Sequence, residues 1–222
     1  MDQKKIEIKT TPLDRTSAEA FKALRTNLLY ISDLQVIALT STQKDEGKSV
    51  TSFQLARTFA SLNKKTLFID CDLRRSTLKQ YLQVRGNIDG LSEALTWKQR
   101  DVVHETDIPH LSIVFSGKYP PNPSELLSGN GFPTLLDEYR KEFDYIFIDT
   151  PPMMGAIDAS IISRYVDGTL LVVRSDFSKR MQIVKAKQQV ERNGGKVIGC
   201  VLNRVDKYQK DYYYGYYYGE DE

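Results

Sequence analysis

"LQVIALTS", residues 34–41, runs directly into "TQKDEGKSV", residues 42–50, and this junction decides the fold. The first segment is apolar and β-branched and ends in small polar residues, the composition of a strand buried on both faces. Gly47-Lys48-Ser49 then stands where a helix opens. There, free backbone N–H groups and the positive end of the helix dipole can face a phosphate. Lys48 is placed to bridge β- and γ-phosphates, and the Ser49 hydroxyl to bind Mg²⁺. The phosphate-loop pattern G-x-x-x-x-G-K-[ST] is incomplete, because Thr42 occupies its first glycine position. Asp45 adds a second departure, a negative charge in a loop that surrounds anions.

Beyond the loop, Val50, Phe53, Leu55, Ala56, Phe59 and Leu62 recur at helical spacing. Further strands are expected at 65–72, 111–116, 144–150, 169–175 and 196–203, with helices over 132–143 and 179–193, the latter ended by Gly194-Gly195. Strand–helix alternation of this kind predicts a single α/β domain, a mostly parallel sheet flanked by helices on both faces. Ligands then bind beyond the C-terminal ends of the strands. The polar residues gather there: Ser41 to Ser49 after the first strand, Asp70 and Asp72 ending the second, Asp149 ending the fourth, and Asn203 and Arg204 ending the last.

Buried acids at several strand ends are costly without a cation to neutralise them. A Mg²⁺-nucleotide site needs such an acid on a neighbouring apolar strand. "YIFIDT" supplies Asp149. "TLFIDCDLR" supplies Asp70 and Asp72, which by strand alternation are expected on one face. Asp72 on its own also suits a simple cap on the following turn.

Composition narrows the partners. The 222 residues are 41% hydrophobic and carry a net charge of +2, which points to no nucleic acid. No apolar run is long enough to span a bilayer, and the expected location is the cytoplasm. Cys71 and Cys200 have no ligand spacing and are expected as free, buried thiols. The last fifteen residues, "YQKDYYYGYYYGEDE", hold seven tyrosines, four acids and one lysine, a net charge of −3. Such a segment cannot bury its backbone in a core and reads as a flexible tail. The boundaries expected are an N-terminal segment over 1–33, the nucleotide domain over 34–206 and the tail over 207–222.

"DEGKS", "LFIDCDLRR" and "YIFIDTPP" together resemble the Walker A, A′ and B motifs of the bacterial tyrosine kinases, the autokinases of capsule and exopolysaccharide production. "SAEAFKALRTNL" (17–28), "GLSEAL" (90–95), "SGKYPPNPSELL" (116–127), "VLNR" (201–204) and the tyrosine tail agree, so the resemblance covers nearly the whole chain in order. It implies a P-loop NTPase-like fold with ATP and Mg²⁺ as cofactors. Lys48, Asp70, Asp72 and Asp149 would be catalytic, and Ser49, Asp70, Asp72 and Asp149 would hold the metal. Asp70 would be the base that takes the phenol proton, because a tyrosine of pKa about 10 is protonated at neutral pH. Thr42, Lys44, Asp45, Glu46, Gly47, Lys48, Ser49 and Val50 would surround the phosphates, with Asn203 and Arg204 toward the adenine.

Tyr212, Tyr213, Tyr214, Tyr216, Tyr217 and Tyr218 would be the acceptors, phosphorylated in trans within a ring, an octamer in form. The family joins subunits through E-x-x-R-x-x-R. Here the pattern is Glu19, Lys22 and Arg25, and lysine in the middle keeps the charge but loses the bidentate grip of arginine. The resemblance further implies a transmembrane adaptor that recruits the kinase to the inner face of the membrane and stimulates it, and an opposing protein-tyrosine phosphatase. The family usually has Pro-Gly where this chain has Lys44-Asp45, which implies a weaker phosphate grip or compensation of Asp45 by Lys44. The partitioning ATPases carry a signature lysine at the position of Gln43, and it is absent. Two other readings stay open: a partitioning-type ATPase, and a degenerate nucleotide-binding regulator.

Overall fold

The computed structural model describes residues 5–205. In chain order the elements are α1 (Arg15–Leu29), β1 (Val36–Ser41), α2 (Lys48–Ala60), β2 (Thr66–Asp70), α3 (Leu78–Tyr81), α4 (Leu91–Leu95), β3 (His104–Glu105), β4 (Leu111–Val114), α5 (Pro123–Ser128), α6 (Gly131–Glu142), β5 (Tyr145–Asp149), α7 (Asp158–Ile162), β6 (Gly168–Arg174), α8 (Arg180–Arg192) and β7 (Val197–Asn203). They form one seven-stranded sheet in the order β3-β4-β2-β5-β1-β6-β7. Every pairing is parallel except the short antiparallel pair β3–β4 at one edge.

β1 sits between β5 and β6 and is buried along its full length, as its apolar run requires. Alternate residues serve opposite faces. Ile37 and Leu39 join Phe53, Phe59, Phe68 and Phe147 beneath α1 and α2. Val36 and Ala38 join Leu67, Ile146, Ile148, Phe132 and Leu136 beneath α6 and its neighbours. The Phe59 and Phe147 rings lie 5.0 Å apart and fix α2 against β5. Residues ahead of β1 belong to the same body: Asp14 caps α1 by accepting the Ser17 N–H at 2.9 Å, and Ile6, Ile8, Phe21 and Leu24 pack on the first core.

Three expectations are corrected. β2 stops at Asp70, so Asp72 does not share a face with it by strand alternation. The backbone turns instead, with the Asp72 N–H donating to Asp70 Oδ1 at 3.1 Å. Val50 and Leu62 are each 39% exposed, because α2 presents Val50 outward at its first turn and ends before Leu62. Cys71 is buried, but Cys200 is exposed, lying on the edge strand β7 where the sheet runs out of cover.

Candidate active site

The loop after β1 delivers Lys48 and Ser49 at the first turn of α2. Gly47 holds φ at +83°, and a side chain there would drive a Cβ to 2.1 Å from the Asn203 amide nitrogen. The dihedral is what calls for glycine, and a larger residue would also have to push the Asn203 amide aside. Asp45 also has positive φ, at 65°, which aspartate tolerates better than most residues. Lys44 and Asp45 both face solvent, so the Asp45 charge does not point into the loop.

Lys48 is buried and its Nζ donates to Asp149 Oδ1 at 2.6 Å and to Ser49 Oγ at 3.0 Å. Ser52, one turn on from Lys48, donates to the same Asp149 oxygen at 3.0 Å. In the sheet register Asp70 is the direct neighbour of Asp149. Both carboxylates are 1% exposed. Burial first, and then the Asp149 charge, push Asp70 up to about 7. The Ser76 hydroxyl, donating to Asp70 Oδ2, and the Asp72 N–H pull the other way. Asp72 Oδ1 accepts the N–H groups of Arg74 and Arg75 at 3.2 and 2.9 Å, so one of its oxygens caps the turn. Arg74 anchors this turn to the body of the molecule, donating from Nε to the fully buried Asp158 at 2.7 Å.

Asn203 Nδ2 donates to the Glu46 carbonyl at 2.9 Å, and the exposed Arg204 follows with φ of 55°. Asn203 therefore stands over the phosphate loop, and Arg204 Nε comes within 4.0 Å of where a Gly47 Cβ would be. Glu19 and Lys22 form an exposed ion pair at 2.8 Å. Arg25 is half-buried and turns inward, its Nη1 donating to Thr58 O at 2.8 Å at the end of α2. The tail tyrosines Tyr212, Tyr213, Tyr214, Tyr216, Tyr217 and Tyr218 lie outside the described residues.

Sequence reasoning missed Ser52, Ser76 and Ser178. Ser52 was findable, because it lies four residues after Lys48 on the same helix face. Ser76 and Ser178 sit in turns whose course no spacing announces.

A family model described as an AAA domain matches residues 34–180. The tyrosine-protein kinase CpsD of Streptococcus agalactiae serotype III is 39% identical over 196 residues, covering 87% of this chain and 84% of the relative. CpsD of Streptococcus pneumoniae is 39% identical over 223 residues, covering 97% and 96%. The chain belongs to the bacterial tyrosine kinase family. Structural likeness agrees. The kinase domain of Escherichia coli tyrosine kinase ETK superposes with a TM-score of 0.79 at 32% identity, over 86% of this chain and 78% of that one. The matching domain family and the kinase relatives together imply nucleotide binding. Among the described residues no helix is long and apolar enough to cross a membrane.

The donor set fits Mg²⁺. Ser49, Asp149 and Asp70 offer hard oxygens, and the mutual repulsion of the two acids is what a divalent cation relieves. Among the described residues no three His, Cys, Asp or Glu side chains form a cage of their own.

Proposed function

We propose that this chain is an ATP-dependent protein-tyrosine autokinase that phosphorylates its own C-terminal tyrosines in trans and so regulates polysaccharide synthesis and export. The observation that carries it is the adjacency of Asp70 and Asp149 beside Lys48. It supports a split of roles in which one carboxylate stays near neutrality as a base while the other pairs with a cation.

Lys48 would leave Asp149 for the phosphates, and the amides at the start of α2 would hold their oxygens. Mg²⁺, held by Ser49 and Asp149 with support from Asp72, would supply charge neutralisation and leave Asp70 to accept the proton. The acceptor phenol oxygen attacks the γ-phosphorus, and the bond from phosphorus to the β,γ-bridging oxygen breaks. The phenol proton passes to Asp70 and ADP leaves. A group near pH 7 is suited to that proton. Thr42, Lys44, Asp45 and Val50 would border the phosphates, and Asn203 and Arg204 the base.

Residues 34–206 would form the kinase and 207–222 the acceptor tail. Each phosphorylated tyrosine adds roughly −1.5 to −2 charge, and repulsion between tails would then loosen a ring joined through Glu19, Lys22 and Arg25. A transmembrane adaptor would recruit the chain to the membrane, and a phosphatase would reset it. Incubation with Mg²⁺ and γ-labelled ATP, beside Lys48→Met and a truncation after Lys207, tests the reading. Label on residues 212–218, lost in both variants, is the expected result. Free phosphate without protein label would favour a partitioning-type ATPase, and bound ATP with neither would favour a regulator.

A further inference from the structure

Glu46 is a buried carboxylate inside a phosphate loop, 1% exposed and one residue before Gly47. An acid in that place should repel the ligand, yet both of its oxygens are turned to donors of the protein. Oε1 accepts the Thr42 hydroxyl at 2.8 Å and the hydroxyl of Ser178, and Oε2 accepts the Gln43 N–H at 2.8 Å. Ser178 comes from the turn between β6 and α8, 132 residues along the chain. Its oxygen accepts the Arg174 N–H at 2.8 Å, which leaves its single proton directed at Glu46. Arg174 Nη1 also reaches the Asp45 carbonyl at 3.4 Å, and Asn203 holds the Glu46 carbonyl. The loop is gripped from outside by the ends of two strands.

We propose that Glu46 and Ser178 are positioning residues for the nucleotide. The carboxylate braces the opening of the phosphate loop, fixing the path that a glycine at position 42 would allow by having no side chain. Ser178 ties that brace to the β6–α8 turn. Thr42 is then a working part of the loop: its hydroxyl is one of the three donors that hold the carboxylate. The arrangement favours an acid. In glutamine one oxygen becomes an NH₂ group: facing the Gln43 N–H it would set donor against donor, and facing the hydroxyls of Thr42 and Ser178 it would turn both into acceptors and give up the charge that strengthens each bond. Either orientation weakens the brace.

The inference rests on the nucleotide reading of the site, so the test begins with binding of Mg·ADP to the full chain by calorimetry. Ser178→Ala, Thr42→Val, Glu46→Gln and the double variant Glu46→Gln/Ser178→Ala follow, each with a melting curve. Loss of one such hydrogen bond is expected to weaken Mg·ADP roughly three- to tenfold. The nucleotide-free melting temperature of Ser178→Ala should stay near wild type, and its KM for ATP should rise more than kcat falls. The double variant should lose less than the sum of the two single losses, because both changes act through the same side chain at position 46. Wild-type affinity in Ser178→Ala and Thr42→Val, additive losses, or losses that merely follow melting temperature would each overturn the brace. A wild-type chain that binds no Mg·ADP would overturn the nucleotide reading itself and the brace with it, which separates the two failures.

Discussion

Asp70 shows how position alone changes a side chain. The same residue in an unfolded chain loses its proton near pH 4, whereas burial and Asp149 hold it to about 7 here. Across that window the unfolded state binds fewer protons, so nucleotide-free stability falls as pH rises, by roughly 1.4 kcal/mol per pH unit at most. Below the window both states are protonated, and above it both are ionised, so the slope vanishes at each end. Thermal melts of wild type and Asp70→Asn between pH 4 and 8 should differ in slope, the variant being the flatter. Parallel curves would remove Asp70 as the source. The acids were legible in the sequence because they end apolar β-branched runs, whose burial follows from composition. The turning of Asp72 into a cap was not, since it depends on where β2 stops, and Ser178 on Glu46 depends on a contact across 132 residues.

At the scale of elements, α1 and α2 are joined by Arg25, a residue that the family resemblance assigns to subunit contacts. Arg25 places a cation at the C-terminal end of α2, where unpaired carbonyls and the negative dipole end favour it. It also donates to Ser61 Oγ at 3.2 Å. Arg25→Ala should therefore cost about 1–2 kcal/mol of folding stability. Lys22→Ala, which removes half of an exposed ion pair, should cost under about 0.5 kcal/mol. Denaturant titration of both variants, at a protein concentration low enough to keep subunits apart, checks the contrast; equal costs would contradict it. The spacing of Glu19, Lys22 and Arg25 by threes places them along one side of a helix, but a helix face has no absolute direction until its partner is known. β3, two residues long at the sheet edge, is too short for any pattern to announce.

The whole molecule gathers its candidate site at one end of a parallel sheet and carries the residues proposed to join subunits on a helix ahead of β1. With lysine in the middle of the pattern and Arg25 turned toward α2, the exposed contribution of Glu19 and Lys22 is an ionic one. Ionic contacts between exposed groups are screened by salt. Light scattering should find an assembly that shrinks as ionic strength rises, and a salt-resistant octamer independent of nucleotide would sink that view. The parallel run of the sheet was foreshadowed by strand–helix alternation, because parallel strands need crossovers and crossovers need helices. Which strands neighbour β1 was not, and it is that order which brings Asp70 beside Asp149.

The Lys48–Asp149 pair gives the resting molecule a lock with two keys. An anion arriving alone would have to strip Lys48 from a buried carboxylate and leave that carboxylate unanswered. A cation arriving alone would strand the ammonium in the same way. Only a visitor that carries both charges satisfies both halves at once. On the proposed function the pair would thus work as a logical conjunction written in electrostatics: free phosphate and free metal would pass by, and the metal–nucleotide complex would be admitted by exchange.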